Sequence, residues 1–193
     1  MAICLRKDLN STTMKILCLE RDNTTFQSLD DGAGNSYRSS FELFPFHEGK
    51  DHAVYKGMLN GTGPKRGMFC AVKACVTHTG READWWSVVE ASRTGRQMAT
   101  LFNQVLKRQV VRFTLPLVAQ MNKVSDFSGV MKLFQPHEKK LKLKEYVLLE
   151  DFIEGTFKRF SSASGASTDV GEADMTQAFS HFTWHQSREL GLE

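Results

Sequence analysis

Met68-Phe69-Cys70-Ala71-Val72-Lys73-Ala74 is an apolar run with one lysine set into it. Read as a strand, it places Phe69, Ala71 and Lys73 on one face and Cys70, Val72 and Ala74 on the other, because side chains alternate along extended chain. Two extended runs precede it: one from about Ser40 with Phe41, Leu43 and Phe46, and one over 52–59. Asn60-Gly61-Thr62-Gly63-Pro64 supplies turn chemistry before the Met68 run, so three short strands in an antiparallel meander are expected.

Beyond Ala74 the period changes. Trp85, Val88, Val89, Met98, Leu101, Phe102, Val105 and Leu106 recur at spacings of three and four, which predicts an amphipathic helix over 82–106. Gly95 in its middle costs ~1 kcal/mol relative to Ala. Further extended segments are expected at 110–121, 130–134 and 146–153, with Pro116 marking the first as an edge strand or a bulge. Lys139-Lys140-Leu141-Lys142-Leu143-Lys144 alternates charge with Leu; a solvated strand or hairpin tip is the favoured reading and a nucleic-acid path the other. The Ser/Gly/Ala tract at 161–167 reads as a flexible loop. A last helix over 173–187 carries Met175, Ala178, Phe179 and Phe182 on one face. The layout is α+β, an antiparallel sheet packed on one long helix. Residues 1–38 are polar and read as a partly disordered leader with one short strand at 14–19.

The chain has 193 residues, 41% of them hydrophobic and 24% charged, the composition of a globular domain. Lys plus Arg number 25 against 22 acids, a net charge of +3. Such a balance makes no electrostatic case for nucleic acid or for an acidic membrane. No apolar run reaches the ~20 residues a membrane helix needs, and the first residues lack the basic-then-apolar pattern of a secretion signal. Cys4, Cys18, Cys70 and Cys75 form no Cys-x-x-Cys pair, so free thiols and a reducing cytoplasm are expected.

Lys73 is the first residue with a case for chemistry. A lysine on the face of Phe69 is costly to desolvate unless an anion meets it, and a phosphate would meet it well. A lysine that snorkels along the sheet edge is the alternative. Glu48-Gly49-Lys50-Asp51-His52 lies between extended segments, and a glycine-bearing turn there could bring backbone N–H groups to a phosphate or simply close a hairpin. On the last helix, His181 and His185 stand four residues apart, a pair able to grip a metal from one helix face.

Several ordered stretches resemble the atypical alpha-type protein kinases. They are Phe46-His47-Glu48-Gly49, Ala53-Val54-Tyr55-Lys56-Gly57, Cys70-Ala71-Val72-Lys73, the run from Leu149-Glu150-Asp151-Phe152-Ile153-Glu154-Gly155 to Phe160, and Gln177-Ala178-Phe179-Ser180-His181-Phe182-Thr183-Trp184. The resemblance covers about residues 41–190. It implies a kinase-like small lobe at 39–155, followed at 156–193 by a loop and the first helix of a large lobe. It implies a serine/threonine protein kinase with ATP and Mg as cofactors, a protein substrate, no nucleic acid partner and no membrane segment.

The resemblance also assigns roles. Lys73 would bind the nucleotide phosphates. The backbone of the hinge positions Glu150 and Phe152 would hold the adenine edge, and the turn from Gly49 to His52 would cover the phosphates. His52 stands where many relatives carry Arg. The acid partner of Lys73 falls at Glu90 or, in another register of the same helix, at the Val88 position. His181 would be one ligand of a structural Zn completed by a later His/Cys cluster in a full-length domain. Relatives also carry Asp-x-Gln-Gly, with the catalytic Asp and a metal-binding Gln, after this helix, and the 193 residues contain neither segment. The chain therefore reads as a domain cut off in its large lobe and inactive alone, with a non-catalytic, pseudokinase-like binding module as the alternative. Phe179, Phe182 and Trp184 are expected to lie exposed.

Overall fold

The computed structural model describes residues 23–125, 140–155 and 173–189. The readings at 14–19, 130–134 and 161–167 lie outside these residues. The elements are β1 (Asn23–Thr25), β2 (Tyr37–Phe41), β3 (His47–Glu48), β4 (His52–Gly61), β5 (Phe69–Cys75), α1 (Ala83–Leu106), β6 (Leu117–Lys123), β7 (Tyr146–Asp151) and α2 (Ala173–Glu189). Described residues fall into two compact units, one within Met1–Glu90 and Leu115–Phe152, the other within Ala91–Thr114 and Ile153–Glu193. The boundary thus differs from a division at 155: the second half of α1 groups with α2.

In the first unit the strands run β2-β1-β6-β7-β5-β4-β3, and β2 also pairs with β4. Every pairing is antiparallel. The second β2 pairing closes six of the strands into a ring, a small barrel whose interior side chains fill. Alternation decides which residues enter it. Tyr37 and Phe41, then Ala53, Tyr55 and Leu59, then Cys70, Val72 and Ala74 share that interior with Leu117, Ala119, Met121, Val147 and Leu149. Gly57 shares their parity and sits where β2 crosses β4. A Cβ there would lie 2.7 Å from the Phe41 Cβ and 2.9 Å from the Ser40 carbonyl, so only glycine lets the ring close at this point.

The polar segment 23–38 is part of this ring, which corrects the expectation that order begins near Ser40. Asn23 and Thr25 are buried. Asn23 Nδ2 donates to the Glu42 carbonyl at 3.0 Å, and its Oδ1 accepts from the Ser125 N–H at 3.0 Å. Those bonds satisfy the polar groups that burial would otherwise penalise. The Lys/Leu alternation ends in a turn. Leu141 joins the barrel interior, Leu143 and Lys144 occupy the turn, and Lys144 has a positive φ.

On the outer face, the start of α1 packs Trp85 and Val89 against Cys75, Val118 and Leu148. Trp85 Nε1 donates to the Tyr146 carbonyl at 3.1 Å. Asp84 caps this end: its Oδ2 accepts the Arg81 N–H at 2.8 Å, and its Oδ1 accepts from Nη2 of the same residue at 3.1 Å, the reciprocal half of a capping box. The Arg81 backbone, then its guanidinium and the His78 ring, hold the Asp84 carboxyl well below the usual carboxylate range.

The second unit is built on aromatic contacts. Phe102 of α1 meets Phe179 and Phe182 of α2 at 5.3 and 5.2 Å between ring centroids, and Phe113 meets Phe179 at 5.9 Å. Two of the three aromatics expected to lie exposed are therefore half-buried, and Trp184 alone of them stays exposed, its ring beside His181 and the Arg188 guanidinium. Residues 110–116 do not extend β6, which starts just after Pro116. Asn103 holds this segment instead: Oδ1 accepts from the N–H groups of Val110 and Val111, and Nδ2 donates to the Val111 carbonyl at 2.7 Å. Gly95 makes room for the Phe113 ring, which would lie 2.6 Å from an added Cβ.

Candidate functional site

The outer faces of β4, β5 and β7 form one continuous surface. Register sets Lys56 opposite Ala71 and Ala71 opposite Glu150, with Val54, Lys73 and Leu148 in the next row. Lys73 reaches diagonally across, and its Nζ lies 2.6 Å from Glu150 Oε2. Both side chains are partly open to solvent, at 32% and 21% exposure, so the pair is no desolvated ion pair and a competing anion can reach the ammonium. Beside it, Lys56 Nζ lies 4.6 Å from the ring centroids of both Phe69 and Phe152. Phe46 meets Phe152 edge to face at 5.8 Å. Two ammonium groups, three aromatic rings and the small Ala71 between them suit a ligand with a flat ring and an anionic tail.

The expected site residues are only partly gathered here. Lys73, Glu150 and Phe152 share this surface. The Phe152 N–H donates to the Phe69 carbonyl at 3.2 Å, so an adenine edge would have to displace that bond. Gly49 donates its N–H to the His52 carbonyl at 2.9 Å and closes a tight β3–β4 turn with Lys50 and Asp51 at its exposed tip. The His52 ring does not face the turn; it lies against Trp85 at 5.2 Å. Glu90 is exposed on α1, and the carboxylate against Lys73 is Glu150. The acid that meets Lys73 in this structure comes from β7, supplied by its register with β5. His181 is exposed on α2, its ring 6.1 Å from that of Trp184.

Lys56, Phe69 and Phe46 had no role in the sequence reading. A signal was present: period-two alternation gives Lys56 on β4 the same face as Lys73 on β5. Gly57, which lies inside one of the stretches that carry the resemblance, is the packing glycine of the barrel.

Residues 47–191 match the Alpha-kinase family. The chain belongs to the alpha-kinase family. Solved alpha-kinase domains of myosin-II heavy chain kinase A share its fold. The apoenzyme form superposes with a TM-score of 0.64 at 18% identity, covering 88% of this chain and 75% of that one. The forms in complex with ADP and with AMP-PNP each give a TM-score of 0.61 at 18% identity, over 87% of this chain and 74% of theirs. No curated protein matches the sequence. The α+β architecture expected from the sequence is thus that of an alpha-kinase domain. Among the described residues, no helix is long and apolar enough to cross a membrane.

Proposed function

We propose that this alpha-kinase chain binds ATP on the outer face of β4, β5 and β7, as the nucleotide-holding part of a serine/threonine protein kinase. The observation that carries this reading is Lys73, held on that face 2.6 Å from the hinge carboxylate of Glu150 and beside the aromatic shelf of Phe69 and Phe152. Lys73 would take the phosphates, Lys56 would add a second positive charge, and the Glu150–Phe152 backbone would meet the adenine. A protein Ser or Thr is the acceptor that the family reading implies, and a cytoplasmic location suits the buried thiols of Cys70 and Cys75, which form no disulfide.

The metal ions that the family implies do not fit the described site residues. Glu150, the one carboxylate in contact with Lys73, is engaged there, so Mg would have to arrive on the nucleotide. A zinc site at His181 finds no group of three donors around it among the described residues. No step is therefore built on either ion. Binding without transfer is the second reading, favoured by the engagement of Glu150 with Lys73.

The test is a titration of a fluorescent ATP analogue against the wild type and Lys73→Ala. Loss of the charge-assisted contact should weaken binding by about 1–3 kcal/mol, roughly 5- to 150-fold in Kd. Equal affinities would remove Lys73 from the site.

A further inference from the structure

Where β5 ends and α1 begins, three donor groups of different chemistry converge. Cys75 closes β5, His78 lies in the connection, and Asp84 belongs to the first turn of α1. One donor atom from each, the Cys75 Sγ, a ring nitrogen of His78 and a carboxylate oxygen of Asp84, lies within 4.8 Å of the other two. His78 Nε2 is already 2.9 Å from Asp84 Oδ2, and its Nδ1 is 3.0 Å from Thr77 Oγ1.

We propose that Cys75, His78 and Asp84 form a binding site for a divalent transition-metal ion of the zinc class, which fastens the end of β5 to the first turn of α1. Thiolate, imidazole and carboxylate together are the donor set such borderline ions select, whereas Mg and Ca select oxygen alone. Tetrahedral binding at about 2.0–2.3 Å sets the donor atoms roughly 3.3–3.6 Å apart. The cluster therefore has to contract by about 1 Å at its widest, a side-chain adjustment. Cys75 is buried while His78 is exposed, so the thiolate sits at the base of a site that opens to solvent, and water can complete the shell. Thr77 suits the role of fixing the ring: by accepting a proton from Nδ1 it would leave Nε2 to the metal. Binding displaces the thiol proton to solvent, and the neutral His78 ring binds with its one proton on Nδ1, so the Nε2–Asp84 contact gives way to the ion.

The helix cap does not account for the cluster. Capping needs Asp84 and the Arg81 N–H; it does not need a thiol beside them. Three protein ligands with an open fourth position also predict an exchangeable ion and not a closed structural one. Cys75 lies two residues beyond Lys73 on the same face of β5, so the ion would stiffen the strand that carries the phosphate-binding candidate. The proposal stands on this geometry and is independent of the kinase reading.

The experiment titrates the 193-residue chain with cobalt(II) and follows the thiolate-to-metal charge-transfer absorbance. One equivalent should saturate the band in the wild type, in Cys70→Ala and in His181→Ala, and Cys75→Ala should abolish it. Thr77→Ala should keep the band with affinity weakened about 10- to 100-fold. A wild type without the band, or a band that survives Cys75→Ala, overturns the site, and unchanged affinity in Thr77→Ala overturns Nε2 as the donor atom. Should Cys75→Ala fail to fold, X-ray absorption at the zinc edge of the wild type decides. One sulfur neighbour among nitrogen and oxygen is expected, and a shell without sulfur overturns the proposal.

Discussion

A lysine bonded to a carboxylate on an open sheet face is held in place but also partly neutralised. The Lys73–Glu150 pair has this double character. An exposed pair of this kind is worth ~0–1 kcal/mol, so a phosphate can outcompete it, but the carboxylate remains nearby and repels the incoming charge. Glu150→Gln is therefore expected to tighten ATP-analogue binding by a few-fold, up to about 1 kcal/mol, while Lys73→Ala weakens it. The same titration checks both, and weaker binding in Glu150→Gln would mean that the carboxylate contributes to the site in some other way. A second residue makes a pH prediction. Burial in the barrel pushes the Cys70 thiol up to about 11, with the Ser39 hydroxyl, 3.2 Å away, opposing part of that shift. A pKa raised by folding contributes stability that is complete below the unfolded value, about 8.5, and is lost as pH rises through the folded one. Cys70 should thus cost the protein roughly 3 kcal/mol between pH ~8.5 and ~11. Denaturant unfolding of wild type and Cys70→Ala across that window should give a shallower alkaline decline in the variant, whatever their difference at pH 7. Parallel declines would count against the assignment.

At the scale of elements, what could be read from the sequence depended on how each element satisfies its backbone. β4, β5 and β7 are largely apolar runs of strand length and α1 has a helical period, so their places followed from pattern. β1 is three residues, Asn23-Thr24-Thr25, too short and too polar to show a period. Its burial rests on Asn23 side-chain bonds to Glu42 and Ser125, partners 19 and 102 positions away that no local pattern reveals. Ring closure was hidden for the same reason, since it depends on β1 and on the second pairing of β2. The candidate site was half legible: Lys73 stood out as a charge in an apolar strand, whereas its partner Glu150 depends on the register of β5 with β7. Gly57 separates packing from function. An alanine there would meet Phe41, Ser39 and Ser40 atoms, all within 3 Å. Overpacking of this kind costs typically 1–3 kcal/mol. Gly57→Ala is expected to lower the urea midpoint by that amount and to leave ATP-analogue affinity of the folded protein unchanged. A loss of affinity at undiminished stability would place Gly57 in the ligand site.

For the whole molecule, phosphoryl transfer places demands that nucleotide binding does not. Binding needs a cation for the phosphates and a surface for the base, and the first unit offers both in Lys73 and in the shelf of Phe69, Phe152 and Lys56. Transfer also needs an in-line acceptor and metal-held charge on the γ-phosphate, because catalysis here is almost entirely positioning and electrostatics. In the described site, Glu150 is the acid in contact with Lys73, and that bond occupies it. The resemblance implies a catalytic acid and a metal-binding Gln in an Asp-x-Gln-Gly segment after α2, and the 193 residues contain no such sequence. The polypeptide of 193 residues is therefore expected to bind ATP and to transfer no phosphate. A radiolabelled ATP assay on a generic basic protein substrate checks this, run beside the nucleotide titration and with Lys73→Ala as the control. Binding that depends on Lys73, with label incorporation at background, is the expected pair of results. Incorporation that depends on Lys73 would instead require a catalytic acid within this sequence. The carboxylates of the first unit, Glu150 foremost, would then be the ones to replace in turn.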